Sequence, residues 1–195
     1  MNGFILASQS PRRKQLLAWA DLQFDIIVSA ADEDFPLDME VQDVPVYIAK
    51  NKAVAVQEKI NKELPVHKGK WIIAADTIVV LDHEIIGKPV DREDAIAILQ
   101  KLSGKTHRVI TGVYLMNDTD TRFFSETTLV HFHPLTLAQI AYYIDQYQPY
   151  DKAGAYGIQD WIGVIGIKGI EGDFYNVMGL PVSKLLSYLP TTIES

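Results

Sequence analysis

The stretch Leu6-Ala-Ser-Gln-Ser-Pro-Arg-Arg-Lys-Gln-Leu-Leu17 is the most informative part of the chain, because it joins a short apolar strand to a helix whose start suits an anion. Ser10 is a favourable N-cap, and Pro11 suits the first helical position, where its missing N–H costs nothing. Arg12 and Arg13 then fall in the first turn, where the helix dipole disfavours cations. The stretch therefore predicts either a site for a strong anion such as a phosphate chain, or a capped surface helix with solvated arginines.

The bulk composition limits the classes of protein to which the chain can belong. Its 195 residues are 48% hydrophobic, enough for one domain, or one domain with two lobes. The net charge of −7 argues against nucleic-acid and anionic-membrane partners. The chain has no cysteine, so it forms no disulfide and no thiolate zinc site. Neither a secretory signal nor a membrane-spanning run is recognisable, and a cytoplasmic location is the default expectation.

Strand and helix patterns alternate along the chain, which predicts an α/β fold with a mixed sheet and flanking helices. Strands are predicted at 4–7, 24–29, 71–81, 107–116, 122–133 and 164–170, the fourth and fifth forming a hairpin. Helices are predicted to begin at Pro11 and to span 44–64, 91–102, 137–147 and 181–189.

Asp76 lies within the apolar run Ile72-Ile-Ala-Ala-Asp-Thr-Ile-Val-Val80. A carboxylate in a buried strand is costly unless it is paired or bound to a metal ion. Asp76 is therefore a candidate for holding Mg²⁺ or for accepting a proton from water. The alternative is that Asp76 stands at the end of the strand and caps a turn.

Other charged residues have two interpretations each. The acidic cluster Asp32-Glu33-Asp34 is typical of a solvated loop, but an acidic group is also needed to hold a nucleotide's Mg²⁺. Lys50 and Lys52 are two residues apart on a predicted helix, so their side chains point in different directions. Each is either a surface lysine or a phosphate ligand. Lys88, between Gly87 and Pro89, is either an anion ligand or a lysine on a surface turn.

The glycine-containing segment Asp151-Lys-Ala-Gly-Ala-Tyr-Gly-Ile-Gln159 is either an ordinary turn or a close approach to a ligand. Gln159 carries a donor and an acceptor, which suits the edge of a pyrimidine base. The segment Ser103-Gly-Lys-Thr-His107 is not a P-loop, since Leu99 stands where its first glycine would be and a strand follows.

Six motifs occur in order along the chain. They are Leu6-Ala-Ser-x-Ser-Pro-Arg-Arg-x-x-Leu-Leu17, Ala75-Asp-Thr77, Gly87-Lys-Pro89, Leu102-Ser-Gly-Lys-Thr-His107 with Thr111-Gly-Val113, Asp151-Lys-Ala-Gly-x-Tyr-Gly-Ile-Gln159, and Gly172-Asp-x-x-Asn-Val-x-Gly-Leu-Pro181. Together they resemble the Maf family of nucleoside triphosphate pyrophosphatases, and the resemblance covers almost the whole chain.

The resemblance implies an α/β fold related to that of the inosine triphosphate pyrophosphatases, with two lobes around a cleft, and one Maf-like domain over residues 1–195. It implies a nucleoside triphosphate diphosphatase that releases the monophosphate and pyrophosphate with Mg²⁺ or Mn²⁺. A homodimer is expected from the resemblance alone.

The resemblance also implies roles for single residues. Asp76 matches the family's proton acceptor, and Glu33 with Asp76 is the candidate metal site. Glu33, Lys52 and Lys88 match charged active-site positions, and Arg13 matches the arginine of the phosphate-binding helix start. The chemistry agrees, because cations are needed to stabilise charge on the departing pyrophosphate: Arg13, Lys52 and Lys88 are candidate phosphate ligands, with Ser8 and Ser10 as neutral donors.

Arg12, Thr77 and Gln159 match positions associated with substrate choice, and together they resemble the subfamily that acts on dTTP and UTP. The alternatives are a 7-methyl-GTP pyrophosphatase, against which Arg12 and Gln159 argue, and a non-enzymatic regulator of septum formation, since the family is also called a septum formation inhibitor.

Overall fold

The computed structural model describes residues 3–190 and contains a seven-stranded mixed sheet with helices. The strands are β1 Phe4–Leu6, β2 Phe24–Ile26, β3 Ile72–Leu81, β4 Glu84–Ile86, β5 Thr106–Met116, β6 Thr121–Phe132 and β7 Ile167–Glu171. The helices are α1 Pro11–Trp19, α2 Val44–Glu63, α3 Arg92–Leu102, α4 Leu137–Tyr147, α5 Trp161–Gly166, α6 Phe174–Met178 and α7 Val182–Tyr188. The strand order is β2-β1-β3-β5-β6-β7, with β4 paired to β3.

The predicted α/β class and mixed sheet are confirmed. The parallel pairs β1/β2 and β1/β3 occur together with the antiparallel pairs β3/β4 and β6/β7. The chain divides into two compact units. Unit 1 comprises the residues up to Asp76, Thr111–Glu126 and the residues from Gly179 onward, whereas unit 2 comprises Thr77–Ile110 and Thr127–Met178.

Helix α2 covers one side of the parallel strands in unit 1. Its buried residues recur at helical spacing and pack with those of β1 and β3 in one core cluster: Ile5, Ala7, Ile27, Ala49, Ala53, Val56, Ile60, Ile72 and Ala74. Gly112 of β5 lets the start of α2 come close, since a Cβ there would lie 2.2 Å from the backbone nitrogen of Val46. This packing positions the charged residues of α2 beside the sheet.

One predicted strand is partly wrong. The sequence pattern predicts a strand at 164–170, but residues 164–166 belong to α5 and β7 begins at Ile167. Val164 and Ile165 favour a strand locally, whereas the backbone packing around Gly163, where a Cβ would lie 1.8 Å from the Ile158 carbonyl oxygen, favours a compact turn of helix. Strand β2 is also shorter than predicted, and β4 and α6 were not predicted.

The hairpin and the helix boundaries are confirmed elsewhere. Asn117 N–H donates to the Asp120 carbonyl in the turn between β5 and β6. Helix α4 begins after Thr136, which forms a capping box with Gln139. In the part of the chain that the structure describes, no helix is long and apolar enough to cross a membrane.

Candidate active site

Two of the predicted site residues of unit 1, Arg13 and Glu33, follow strands β1 and β2 along the chain. Strands β1 and β2 are parallel, and so are β1 and β3, with Leu6 paired to Ile26 and to Ile73. The loop that leads to α1 and the loop that carries Glu33 therefore leave the sheet at the carboxyl ends of β1 and β2. In open α/β sheets this edge is the usual place for a ligand.

Asp76 points toward α2 because side chains alternate along a strand. Ile72 and Ala74 belong to the core cluster with α2, and Asp76 is the next residue on the same face of β3. Asp76 has five strand residues after it, so the alternative that it caps a strand end is wrong. The apolar core gives way to a carboxylate at this position.

Lys52 joins two carboxylates. Its Nζ lies 2.7 Å from Oδ1 of Asp76 and 2.7 Å from Oε1 of Glu33. The Lys52 and Asp76 side chains are 19% and 15% exposed, whereas that of Glu33 is 55% exposed. The ammonium thus offsets the burial of Asp76 and keeps a more accessible carboxylate beside it. Lys50 is exposed, as expected for a lysine that points in another direction.

The start of α1 holds the Arg13 guanidinium close to the chain that precedes it. Ser10 is the N-cap, and its hydroxyl accepts from the Arg13 backbone N–H at 3.5 Å. The Ser8 hydroxyl accepts from Arg13 Nη1 at 3.3 Å and from the Ser10 backbone N–H at 3.2 Å. Arg13 Nε donates to the Gly179 carbonyl at 2.8 Å. The predicted helix start is confirmed, and the guanidinium is oriented by groups on both sides.

Opposing charges surround this guanidinium. Burial lowers the pKa of Arg13, and Arg12 acts in the same direction, while Asp76 and Glu33 oppose it. A half-buried arginine beside a second arginine is favoured when an anion neutralises both. The arrangement is suited to phosphate oxygens, which arginine binds as a planar fork.

The two carboxylates fit one mode of metal binding. Among residues 3–190, no group of three or more His, Asp and Glu side chains is arranged to hold a metal ion. Mg²⁺ is commonly held by one or two carboxylates together with waters and substrate phosphates, rather than by an all-protein cage. Glu33 and Asp76 fit that mode and do not fit a complete protein cage.

Unit 2 carries two of the remaining predicted site residues on neighbouring loops. The Gly154 N–H donates to the Gly87 carbonyl at 3.0 Å, which ties the Lys88 loop to the segment that leads to Gln159. Lys88 and Gln159 are both exposed. Thr77 follows Asp76 on β3, so its side chain lies on the opposite face of the strand.

The structure therefore brings Glu33, Lys52 and Asp76 into contact and joins Ser8, Ser10 and Arg13 in a second group. Sequence reasoning gave no role to Gly179, whose carbonyl holds Arg13. The available signal was its position in the motif that ends at Pro181. In the structure the backbone φ of Gly179 is 113°, a conformation that favours glycine.

Comparison with known proteins gives consistent matches over nearly the whole chain. The model of the family described as Maf-like protein matches residues 3–192. A dTTP/UTP pyrophosphatase of Porphyromonas gingivalis is 46% identical over 98% of this chain and 94% of its own length. A dTTP/UTP pyrophosphatase of Cytophaga hutchinsonii is 49% identical over 95% of this chain and 82% of its own length. Among solved structures, the Ham1 protein of Staphylococcus aureus matches with a TM-score of 0.44 and 16% identity, over 67% of this chain and 71% of that one.

Proposed function

The chain belongs to the Maf family, and we propose that it hydrolyses dTTP and UTP to the nucleoside monophosphate and pyrophosphate. The observation that carries the proposal is its identity of 45–49% to relatives named dTTP/UTP pyrophosphatase, over at least 93% of the chain. The residues gathered at the carboxyl ends of β1 and β2 supply the chemistry that such a reaction needs.

Asp76 is the proposed general base. It accepts a proton from the water that attacks the α-phosphorus, and the bond from that phosphorus to the oxygen of the departing pyrophosphate breaks. Lys52, 2.7 Å from Asp76, orients the carboxylate through a charge-assisted hydrogen bond. Asp76 lies on a strand and Lys52 on a helix, so both groups are held on rigid elements and the proton acceptor keeps a fixed position.

Arg13 and Lys88 are the proposed ligands of the phosphate chain, with Ser8 and Ser10 as neutral donors. Arg13 is held at Nε by the Gly179 carbonyl, which leaves its guanidinium plane in one orientation. Cations placed where charge develops on the departing pyrophosphate lower the barrier, since they need no reorganisation during the reaction.

Glu33 and Asp76 are the proposed protein ligands of a divalent cation, Mg²⁺ or Mn²⁺. When bound, the cation would neutralise charge on the triphosphate oxygens. Lys52 contacts the same two carboxylates, so Lys52 and the cation would together balance their charge.

Arg12, Thr77 and Gln159 are the proposed determinants of substrate choice. Gln159 is exposed and carries one donor group and one acceptor, which can pair with the edge of uracil or thymine. A site that depends on such bonds rejects bases that leave the amide unpaired.

We propose that the chain acts as one Maf-like domain.

The test is release of pyrophosphate and of phosphate from a panel of dTTP, UTP, CTP, GTP, ATP and 7-methyl-GTP, with Mg²⁺ and then with Mn²⁺. We expect pyrophosphate without orthophosphate, and dTTP and UTP ahead of the others. Preference for 7-methyl-GTP would assign the chain to that activity instead. No turnover of any nucleotide by folded protein would overturn the proposal and favour the regulatory alternative.

A further inference from the structure

Tyr143 of α4 is fully buried, yet its hydroxyl makes two hydrogen bonds to the loop that carries Gln159. The hydroxyl donates to Oδ2 of Asp160 at 2.8 Å and accepts from the Gly157 backbone N–H at 3.0 Å. A buried hydroxyl needs hydrogen-bond partners, and the Tyr143 hydroxyl finds both of these partners in this loop. One side chain therefore holds both ends of a four-residue segment.

That segment is a tight turn. The Asp160 N–H donates to the Gly157 carbonyl at 3.0 Å, which closes a β-turn with Ile158 and Gln159 at its centre. Ile158 is 6% exposed and anchors the turn inside unit 2, whereas Gln159 is exposed. The turn thus exposes Gln159 to solvent while the neighbouring Ile158 stays buried.

The Asp160 carboxylate serves the turn rather than the helix that follows it. Asp160 occupies the N-cap position of α5, where an aspartate side chain normally accepts from the first helical N–H groups, but it makes no such bond. Its carboxylate reaches Tyr143 instead. Gly157 has no Cβ, and one placed there would lie 2.4 Å from the same carboxylate oxygen, so the close fit requires glycine.

We infer that Tyr143, through Asp160 and Gly157, is a positioning residue that orders the Gln159 turn and thereby sets the preference for pyrimidine nucleotides. The inference rests on the proposed role of Gln159 in contacting the base. Tyr143 is covered by protein and does not touch substrate. Its effect is entropic, because a fixed amide pays no ordering cost when the base binds.

The first experiment compares Tyr143→Phe with the unaltered chain, using dTTP, UTP and GTP. The phenyl ring still fills the core, and only the hydroxyl is lost. We expect KM for dTTP and UTP to rise and the preference over GTP to fall by about tenfold, the size of one ordering hydrogen bond, while kcat changes little. Tyr142→Phe is the matched control, since Tyr142 is the neighbouring residue of α4 but is 51% exposed.

A merely structural role is separated from a positioning role by a double-variant cycle. If Tyr143 acts through Gln159, Tyr143→Phe has no effect on the dTTP-to-GTP preference when Gln159→Ala is already present. An equal effect in both backgrounds, or a loss of kcat for all nucleotides without a change in preference, would overturn the inference.

Asp160→Ala provides a second route if Tyr143→Phe does not fold. Because the Asp160 side chain does not cap α5, its removal takes no helix cap away. We expect Asp160→Ala to reproduce the loss of preference and Asp160→Asn, which keeps an acceptor oxygen, to restore part of it. Unchanged preference in a folded Asp160→Ala protein overturns the inference.

The proposed function has its own readout in the same series. If Gln159→Ala alone leaves the preference unchanged, the role of Gln159 in reading the base fails. If Gln159→Ala abolishes the preference but Tyr143→Phe leaves it intact, only the positioning role fails.

Discussion

Lys52 Nζ lies 2.7 Å from Oδ1 of Asp76, although 24 residues separate the two along the chain. The same nitrogen contacts Glu33 from the loop after β2. Lys52, Asp76 and Glu33 thus connect a helix, a strand and a loop of unit 1.

Asp76→Asn should lower kcat for dTTP by about 100-fold or more, because the amide cannot accept the proton of the attacking water. The matched control is Asp25→Asn, since Asp25 also lies on a strand and pairs with a lysine, Lys70, at 2.8 Å. Steady-state kinetics with circular dichroism of each variant make the comparison. Full activity in a folded Asp76→Asn protein would contradict the role of a base.

Lys52→Met should lower the free energy of unfolding by about 1–3 kcal/mol, since the mostly buried Asp76 carboxylate loses its partner. Lys70→Met, at an ion pair whose aspartate is 51% exposed, should have an effect of about 1 kcal/mol or less. Urea titrations measure both. Equal changes in the free energy of unfolding for the two variants would show that Lys52 does not offset the burial of Asp76.

Glu33→Gln should change stability little, because the Glu33 side chain is 55% exposed. It should raise the Mg²⁺ concentration for half-maximal activity by about tenfold, equivalent to about 1.4 kcal/mol, if Glu33 helps to hold the cation. Rates measured across Mg²⁺ concentrations at saturating dTTP provide the check. Asp34→Asn, in the same acidic cluster, is the control, and an equal shift in both variants would argue against a specific ligand.

Arg13→Lys should raise KM for dTTP by about tenfold, because a lysine ammonium cannot keep the hydrogen bonds to Gly179 and Ser8 while offering a planar fork to phosphate. Arg122→Lys serves for comparison, since Arg122 also donates to a backbone carbonyl, that of Tyr188, at 2.7 Å. A KM unchanged by Arg13→Lys would exclude Arg13 as a ligand of the phosphate chain.

His107 should make the protein less stable in mild acid. Its imidazole is 2% exposed and lies 2.8 Å from the Tyr156 hydroxyl. Burial, with a smaller contribution from His131, lowers the pKa of His107 from 6.5 to about 4. The unfolded chain therefore binds the proton more readily, so the contribution of His107 to stability is complete above pH 6.5 and is lost as the pH falls toward 4.

The loss between these pH values should reach about 3 kcal/mol. Urea titrations at several pH values in this window give the slope, and His107→Gln should flatten it. The exposed His83 provides the control variant, His83→Gln, which should leave the slope unchanged. A slope that is the same in both variants would assign the acid sensitivity to other groups.

Much of the fold was predictable because its signals are local. The buried residues of α2 recur at helical spacing within the predicted helix, and Ser10 begins α1 as expected. One exception is α5, where Val164 and Ile165 favour a strand but the chain forms a short helix in which Gly163 closely approaches the Ile158 carbonyl.

Most of the strands and helices, the residue types available for chemistry and the family were predictable from the sequence alone, because periodicity, capping and motifs are carried by short stretches of neighbouring residues. The three-dimensional fold was needed to see that Lys52 contacts Glu33 and Asp76, that Gly179 holds Arg13 across 166 residues, and that Tyr143 holds the Gln159 turn. Such contacts depend on the register of the parallel strands and on the helix faces packed against the sheet, and no local pattern specifies them.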